Sequence, residues 1–154
     1  MRLTRQSSYA IRTLIYCAVN EPKLSRIADI AKAHAISELF LFKLIKPLVE
    51  AGLLQTVRGR KGGIKLGRPA AEITLLDTIR LTEENFAMAE CFEGGSSDVI
   101  CPLAGACDLS AALHEALAAF FEVLEGYTIA DLAGKRRALR ERLGLEELGL
   151  LTAH

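Results

Sequence analysis

The chain is 154 residues long and 51% hydrophobic with no Trp, which allows one well-buried core plus an extra element but not two full domains. No apolar run approaches the roughly 20 residues that span a bilayer, and Met1-Arg2-Leu3-Thr4-Arg5-Gln6 lacks the features of a secretory signal, so a cytoplasmic protein with no membrane partner is expected. The net charge of zero conceals a split: residues 1–68 carry thirteen Lys/Arg against four Asp/Glu, a balance of +9, and residues 69–154 carry six against fifteen, a balance of −9.

Thr4 is placed to cap a first helix running to Val19, with Ala10, Ile11, Leu14, Ile15 and Ala18 on one face. Asn20-Glu21-Pro22 breaks it. Ser25 is expected to cap a short helix, Arg26 to Ala33, and the turn His34-Ala35-Ile36 leads to Ser37, the cap of a third helix beginning Glu38-Leu39-Phe40. Gly52 lies just past the end of that helix, where a left-handed C-terminal cap is expected. Pro47 lies inside it and should kink or shorten it near Lys46.

The period then changes. Residues 53–58 and 64–66 read as two short strands around Gly59-Arg60-Lys61-Gly62-Gly63. Helix, short helix, capped helix and glycine-tipped hairpin follow the order of a winged helix-turn-helix in a mainly α protein. Thr74 and Asp77 suggest a capping box opening a helix to Leu81. Residues 85–109 read as a loop, and Ser110 as the cap of a long apolar helix from Ala111 to Tyr127. Ala112, Ala116, Ala118 and Ala119 would permit close approach of another helix, and the segment is too apolar all round for a monomer surface. A homodimer through this helix is the economical reading, with packing inside its own chain as the alternative. Thr128 opens a further short helix, and residues 135–154 read as a charged, partly frayed tail. The chain thus divides into a winged helix-turn-helix (1–83), a cysteine loop (84–109), a dimerisation helix with a following short helix (110–133) and a charged tail (134–154).

In a helix-turn-helix the start of the second helix enters the major groove of double-stranded DNA. That assigns Ser37, Glu38, Leu39 and Phe40, with Phe42, Lys43 and Lys46 further along, as candidate DNA contacts. Leu39, Phe40, Leu41 and Phe42 cannot all point inward, so at least one should stand exposed and able to touch a thymine methyl group. Arg58, Gly59, Arg60 and Lys61 form the candidate wing, whose cations suit the minor groove or its phosphates. The Walker spacing of a nucleotide-binding loop is absent. A basic half joined to an acidic half fits a polyanion on the first half only, chance segregation on solvated faces being the alternative. Two such units would read a two-fold operator.

Cys91, Cys101 and Cys107 fall in one loop with the spacing Cys-x9-Cys-x5-Cys, while Cys17 lies apart in the first helix as a small buried apolar residue. Clustered thiols in a reducing compartment point to a soft metal, an iron–sulfur centre or a redox switch, and the residues alone leave these open. Structural zinc would need a fourth ligand, His114 being the nearest downstream histidine. His34, His114 and His154 show no arrangement that would activate a catalytic cysteine, so no enzyme is expected.

Met1-Arg2-Leu3-Thr4, Ile36-Ser37-Glu38-Leu39, Gly52-Leu53, Val57-Arg58-Gly59-Arg60 with Gly62-Gly63, and the three-cysteine loop together resemble the IscR/NsrR/RirA family over residues 1–133. The resemblance implies a dimeric winged-helix regulator with an iron–sulfur cluster, of the [4Fe–4S] type, on Cys91, Cys101 and Cys107. The stretches Ser37–Lys43 and Phe86–Phe92 look most like the iron-responsive RirA type, which implies a repressor of iron-uptake genes whose cluster-bound form binds DNA. The NsrR type, sensing nitric oxide or redox state, shares a similar stretch around the first cysteine and stands as the alternative, as does a zinc-stabilised DNA-binding protein. Ser110 stands where IscR-type proteins carry a histidine, and Ser8 where NsrR-type proteins carry an aspartate, which leaves the fourth ligand open.

Overall fold

The computed structural model describes residues 2–89, 102–103 and 106–145. Helix α1 (Arg5–Asn20) starts where expected, because the Thr4 side chain accepts the Ser7 N–H at 3.3 Å. Glu83 closes the same end from outside, accepting from the Thr4 N–H at 2.7 Å, the Thr4 hydroxyl at 3.0 Å and the Ser7 hydroxyl. Burial pushes the Glu83 carboxyl upward, but these hydrogen bonds prevail and hold it below the ordinary carboxylate value. Ala10, Leu14, Cys17 and Ala18 are buried along α1, with Ile11 and Ile15 half-buried beside them. Burial drives the Cys17 thiol up to about 12, so this cysteine is a core residue, as expected, and no nucleophile.

Helix α2 begins one residue later than expected, at Ile27, and ends at Ala33. Ser25 does not cap it. Its backbone instead pairs with Ile64, N–H to carbonyl at 2.9 and 2.8 Å, and its hydroxyl accepts from the Asn20 side chain at 3.0 Å. An extended residue engaged on both sides has no freedom left to turn its hydroxyl onto α2.

Helix α3 (Glu38–Glu50) is capped by Ser37, whose hydroxyl accepts from the Phe40 N–H at 3.2 Å. Pro47, expected to kink or shorten the helix near Lys46, does not shorten it: the helix runs on to Glu50. Leu44, Ile45 and Leu48 are buried on both sides of it, and their packing outweighs the one hydrogen bond that proline cannot donate. Past Ala51 the chain turns left-handed at Gly52, φ +74°, with Gly52 N–H on the Val49 carbonyl at 3.0 Å and Leu53 N–H on that of Leu48 at 2.9 Å. This is the reciprocal C-terminal cap expected of a glycine there.

Strands β1 (Leu54–Val57) and β2 (Gly63–Leu66) pair antiparallel, Leu54 opposite Leu66 and Val57 opposite Gly63. A short 3-10 turn, Ala70–Glu72, leads to α4 (Leu75–Thr82), with the expected reciprocal cap between Thr74 and Asp77. The chain is therefore a mainly helical winged helix-turn-helix, and its core is formed by α1, α2, α3 and the hairpin, joined by Ile73 and Ile129.

Helix α5 spans Leu109–Glu125, starting and ending two residues earlier than expected. Ser110 lies inside its first turn instead of capping it, and its carbonyl meets the His114 Nδ1 at 2.7 Å. The link from α5 to α6 (Ile129–Leu132) is stitched to the approach of α4: Leu75 N–H donates to the Tyr127 carbonyl and Ile129 N–H to that of Ile73, both at 2.8 Å. Arg136–Arg142, expected within a partly frayed tail, form helix α7. Arg140 is buried and donates to the Val19 carbonyl at 2.7 Å, while Arg136 donates to that of Glu21. Both arginines satisfy carbonyls at the end of α1 that have no helical partner, which fixes α7 in place. Among the described residues, no helix is long and apolar enough to cross a membrane.

Candidate nucleic-acid interface and cysteine site

The burial of Leu41, Leu44, Ile45 and Leu48 turns the other face of α3 outward. Of its four consecutive apolar residues, Leu41 is fully buried, Phe40 is half-buried, and Leu39 and Phe42 are 68% and 54% exposed. Leu39 and Phe42 are three residues apart, hence on one face, beside the exposed Ser37, Glu38, Lys43 and Lys46. Lys46 lies 3.9 Å from Glu50, an exposed pair of little energetic weight.

The sequence reading missed two cations near this face. Arg5 and Arg12 lie over the ring of Tyr9 at 5.8 and 5.1 Å, and Tyr9 meets Phe40 edge-on at 5.8 Å. The signal was the i, i+4, i+7 spacing of Arg5, Tyr9 and Arg12, which places all three on one side of α1. His34, in the helix-turn-helix turn, packs edge-on to Tyr9 and Tyr16. Burial first, and the Arg12 charge second, lower its pKa, so the ring is a neutral packing element.

At the hairpin tip, Arg58, Gly59, Arg60 and Lys61 are all exposed. Gly59 has φ +114°, a conformation that side chains disfavour, and a Cβ on Gly62 would lie 2.3 Å from the Val57 carbonyl oxygen. The two glycines thus close a tip that leaves its cations in solvent. The Ser25–Ile64 pairing ties this hairpin to the segment before α2, so wing and helix-turn-helix share one frame. An apolar-and-basic helix face and a basic loop mounted on that frame suit a polyanion with readable apolar edges.

Of the three candidate ligand cysteines, Cys107 is described: a free, exposed thiol two residues before α5. Cys91 and Cys101 lie outside the described residues. Among the described residues, no three metal-binding side chains come together. His114 is one helical turn into α5, but its Nδ1 is engaged by the Ser110 carbonyl. An exposed thiol at a helix entry fits a thiolate ligand to a soft metal or cluster, which is the donor chemistry such a group requires.

The sequence matches the Rrf2 family, described as iron-dependent transcriptional regulators, over residues 3–135. The chain belongs to the Rrf2 family. Rrf2 proteins are DNA-binding transcription regulators and not enzymes. A Rhizobium meliloti relative named aau3 is 60% identical over 96% of this chain and 94% of its own length. The transcriptional regulator NsrR of Geobacillus kaustophilus is 44% identical over 93% of this chain and 97% of its own. Among solved structures, CymR, the global cysteine regulator of B. subtilis, superposes with a TM-score of 0.68 at 29% identity, covering 87% of this chain and 97% of CymR.

Proposed function

We propose that this Rrf2 protein is a homodimeric repressor of iron-uptake genes that binds a two-fold DNA site in its cluster-bound form. The observation that carries the DNA part is the exposed Leu39–Phe42–Lys43 face of α3 beside the exposed basic wing. In this reading the free N–H groups at the Ser37 cap take a phosphate, Lys43 and Lys46 contact phosphates or guanine edges, and Arg58, Arg60 and Lys61 follow the adjacent minor groove. Arg5 and Arg12 extend the phosphate contacts along α1. Cys91, Cys101 and Cys107 would hold the cluster, which supplies an iron- and redox-responsive tie between thiolates. The family's iron-dependent description and the exposed Cys107 support this assignment.

Leu39 and Phe42 are proposed to read thymine methyl groups. Replacing the contacted thymines by deoxyuridine, which lacks only the methyl, should weaken wild-type binding by about three- to tenfold per site, and Leu39→Ala/Phe42→Ala should be indifferent to the exchange. An equal response in both proteins, read by fluorescence anisotropy, excludes the assignment. The wing makes a separate prediction. Arg60→Ala/Lys61→Ala should weaken binding evenly across sequences and flatten the slope of log K against log salt by about two. An unchanged slope would place these cations off the DNA.

The 44% identity to NsrR favours a second reading, in which nitric oxide is the signal. Anaerobic DNA titrations of the cluster-bound protein separate the two. Release by a mild iron chelator, with nitric oxide no more effective than other oxidants, supports iron sensing. Release by stoichiometric nitric oxide at constant iron supports the second reading, and tight binding by the cluster-free protein overturns both.

A further inference from the structure

A cleft of about 590 Å³ opens between the end of α1, helix α2 and helix α7. Its volume lies within the range of small-molecule sites. Lys23, Lys32, Arg140 and Arg142 line it, with Asp29 as the opposing carboxylate. Those two arginines belong to a concentration of charge: five of the six Lys/Arg in the acidic part of the chain fall within residues 135–142. Folding α7 onto the end of α1 brings cations of that cluster up to those of the first half.

The cleft also has a fixed polar interior. Tyr16 is 3% exposed and lines the cleft. Burial, with Asp29 adding to it, pushes the Tyr16 phenol upward, so it stays a neutral donor. Arg140 is 8% exposed and is anchored on the Val19 carbonyl at the cleft wall. A neutral phenol donor, an anchored guanidinium and three more cations, set against one carboxylate, Asp29, among the described lining residues, give the cleft the donor-rich, cationic wall that an anion requires.

We propose that this cleft is a binding site for a small polyanion carrying phosphate or carboxylate groups, with a lining that includes neither the exposed face of α3, nor the wing, nor Cys107. Its wall touches the wing's support: Asn20 lines the cleft and donates to the Ser25 hydroxyl, and Ser25 pairs with Ile64 of β2. A ligand that draws α7 and α2 together therefore acts two hydrogen bonds from the wing.

The test is isothermal titration of the full-length protein with inorganic phosphate and, separately, with tricarballylate, a tricarboxylate without the chelating hydroxyl of citrate. Saturable binding of one anion per chain is expected for at least one probe, and the stronger probe identifies phosphate or carboxylate as the recognised group. Lys23→Glu/Arg142→Glu, at exposed positions that leave the Arg140 anchor intact, should weaken it by about tenfold or more, and Tyr16→Phe by several-fold. Arg60→Ala/Lys61→Ala should leave it unchanged. Absence of saturable binding by either probe overturns the proposal, as does a loss that follows the wing substitutions instead.

Discussion

Cys107→Ala should purify colourless under anaerobic conditions and bind a two-fold operator at least about a hundredfold more weakly than wild type, or roughly 2.7 kcal/mol. Cys91→Ala and Cys101→Ala should do the same. The argument begins with the position of Cys107, two residues before α5. Phe121 of α5 meets Phe86 edge-on at 4.9 Å, and Arg80 of α4 lies over the Phe121 ring at 5.2 Å. Beyond α4, Glu83 is bonded to Thr4 and Ser7 at the start of α1, and Tyr9 of α1 meets Phe40 of α3. Fixing the entry to α5 therefore biases a contiguous set of contacts that ends on the DNA-reading helix. Driving such a two-state equilibrium from nearly full to nearly empty takes roughly 5 kcal/mol, within reach of several metal–thiolate bonds, so a hundredfold is a lower bound. Cys17→Ala is the control: its thiol is buried in the core, so colour and DNA binding should persist at a stability cost of about 1 kcal/mol. Visible spectra, iron and sulfide assays and anisotropy give the readouts. A colourless wild type with stoichiometric zinc would retain the winged helix and remove the iron–sulfur switch.

The parts of the fold legible in the sequence are those where a side chain has one local use. Thr4, Ser37, Thr74 and Thr128 cap helices with their own hydroxyls, and Gly52 ends α3, because cap chemistry is settled within four residues. Ser25 and Ser110 carry the same chemistry but do not cap. Ser25 is taken by Ile64 and Asn20, the first of them 39 positions away, and no local pattern announces that pairing. The same holds for α7. Its charges read as a solvated tail, yet Arg136 and Arg140 find the open carbonyls of Glu21 and Val19 more than a hundred residues earlier. At the interface, the argument that four consecutive apolar residues cannot all be buried led to exposed positions, but the partition between Leu39 and Phe42 outside and Leu41 inside needed the helix. Arg5 and Arg12 escaped notice because their relation to α3 runs through the Tyr9 ring.

Ala116→Glu/Val123→Glu should convert the protein to a monomer and lower affinity for a two-fold operator by about a hundredfold or more, while leaving the helix content intact. None of the residues of α5 is buried, although the helix is strongly apolar. Ala112, Ala116, Ala119 and Val123 recur at helical spacing and are all exposed, Val123 at 60%, so they form a continuous stripe of small and apolar side chains. Small side chains let helix axes approach closely, and an apolar stripe of this length is costly to leave in water. A second copy of the same stripe is the self-complementary partner that two-fold symmetry supplies. The loss in affinity follows because joining two half-site readers makes the second contact intramolecular, an advantage of about 10² to 10⁴ that a monomer forfeits. Because both substituted positions face solvent in the single chain, the glutamates disturb no internal packing, and circular dichroism should be unchanged. Sedimentation velocity and operator titration together decide the point: a dimer that survives both glutamates would move the interface off α5, and a monomer that still binds the whole operator tightly would separate dimerisation from DNA recognition.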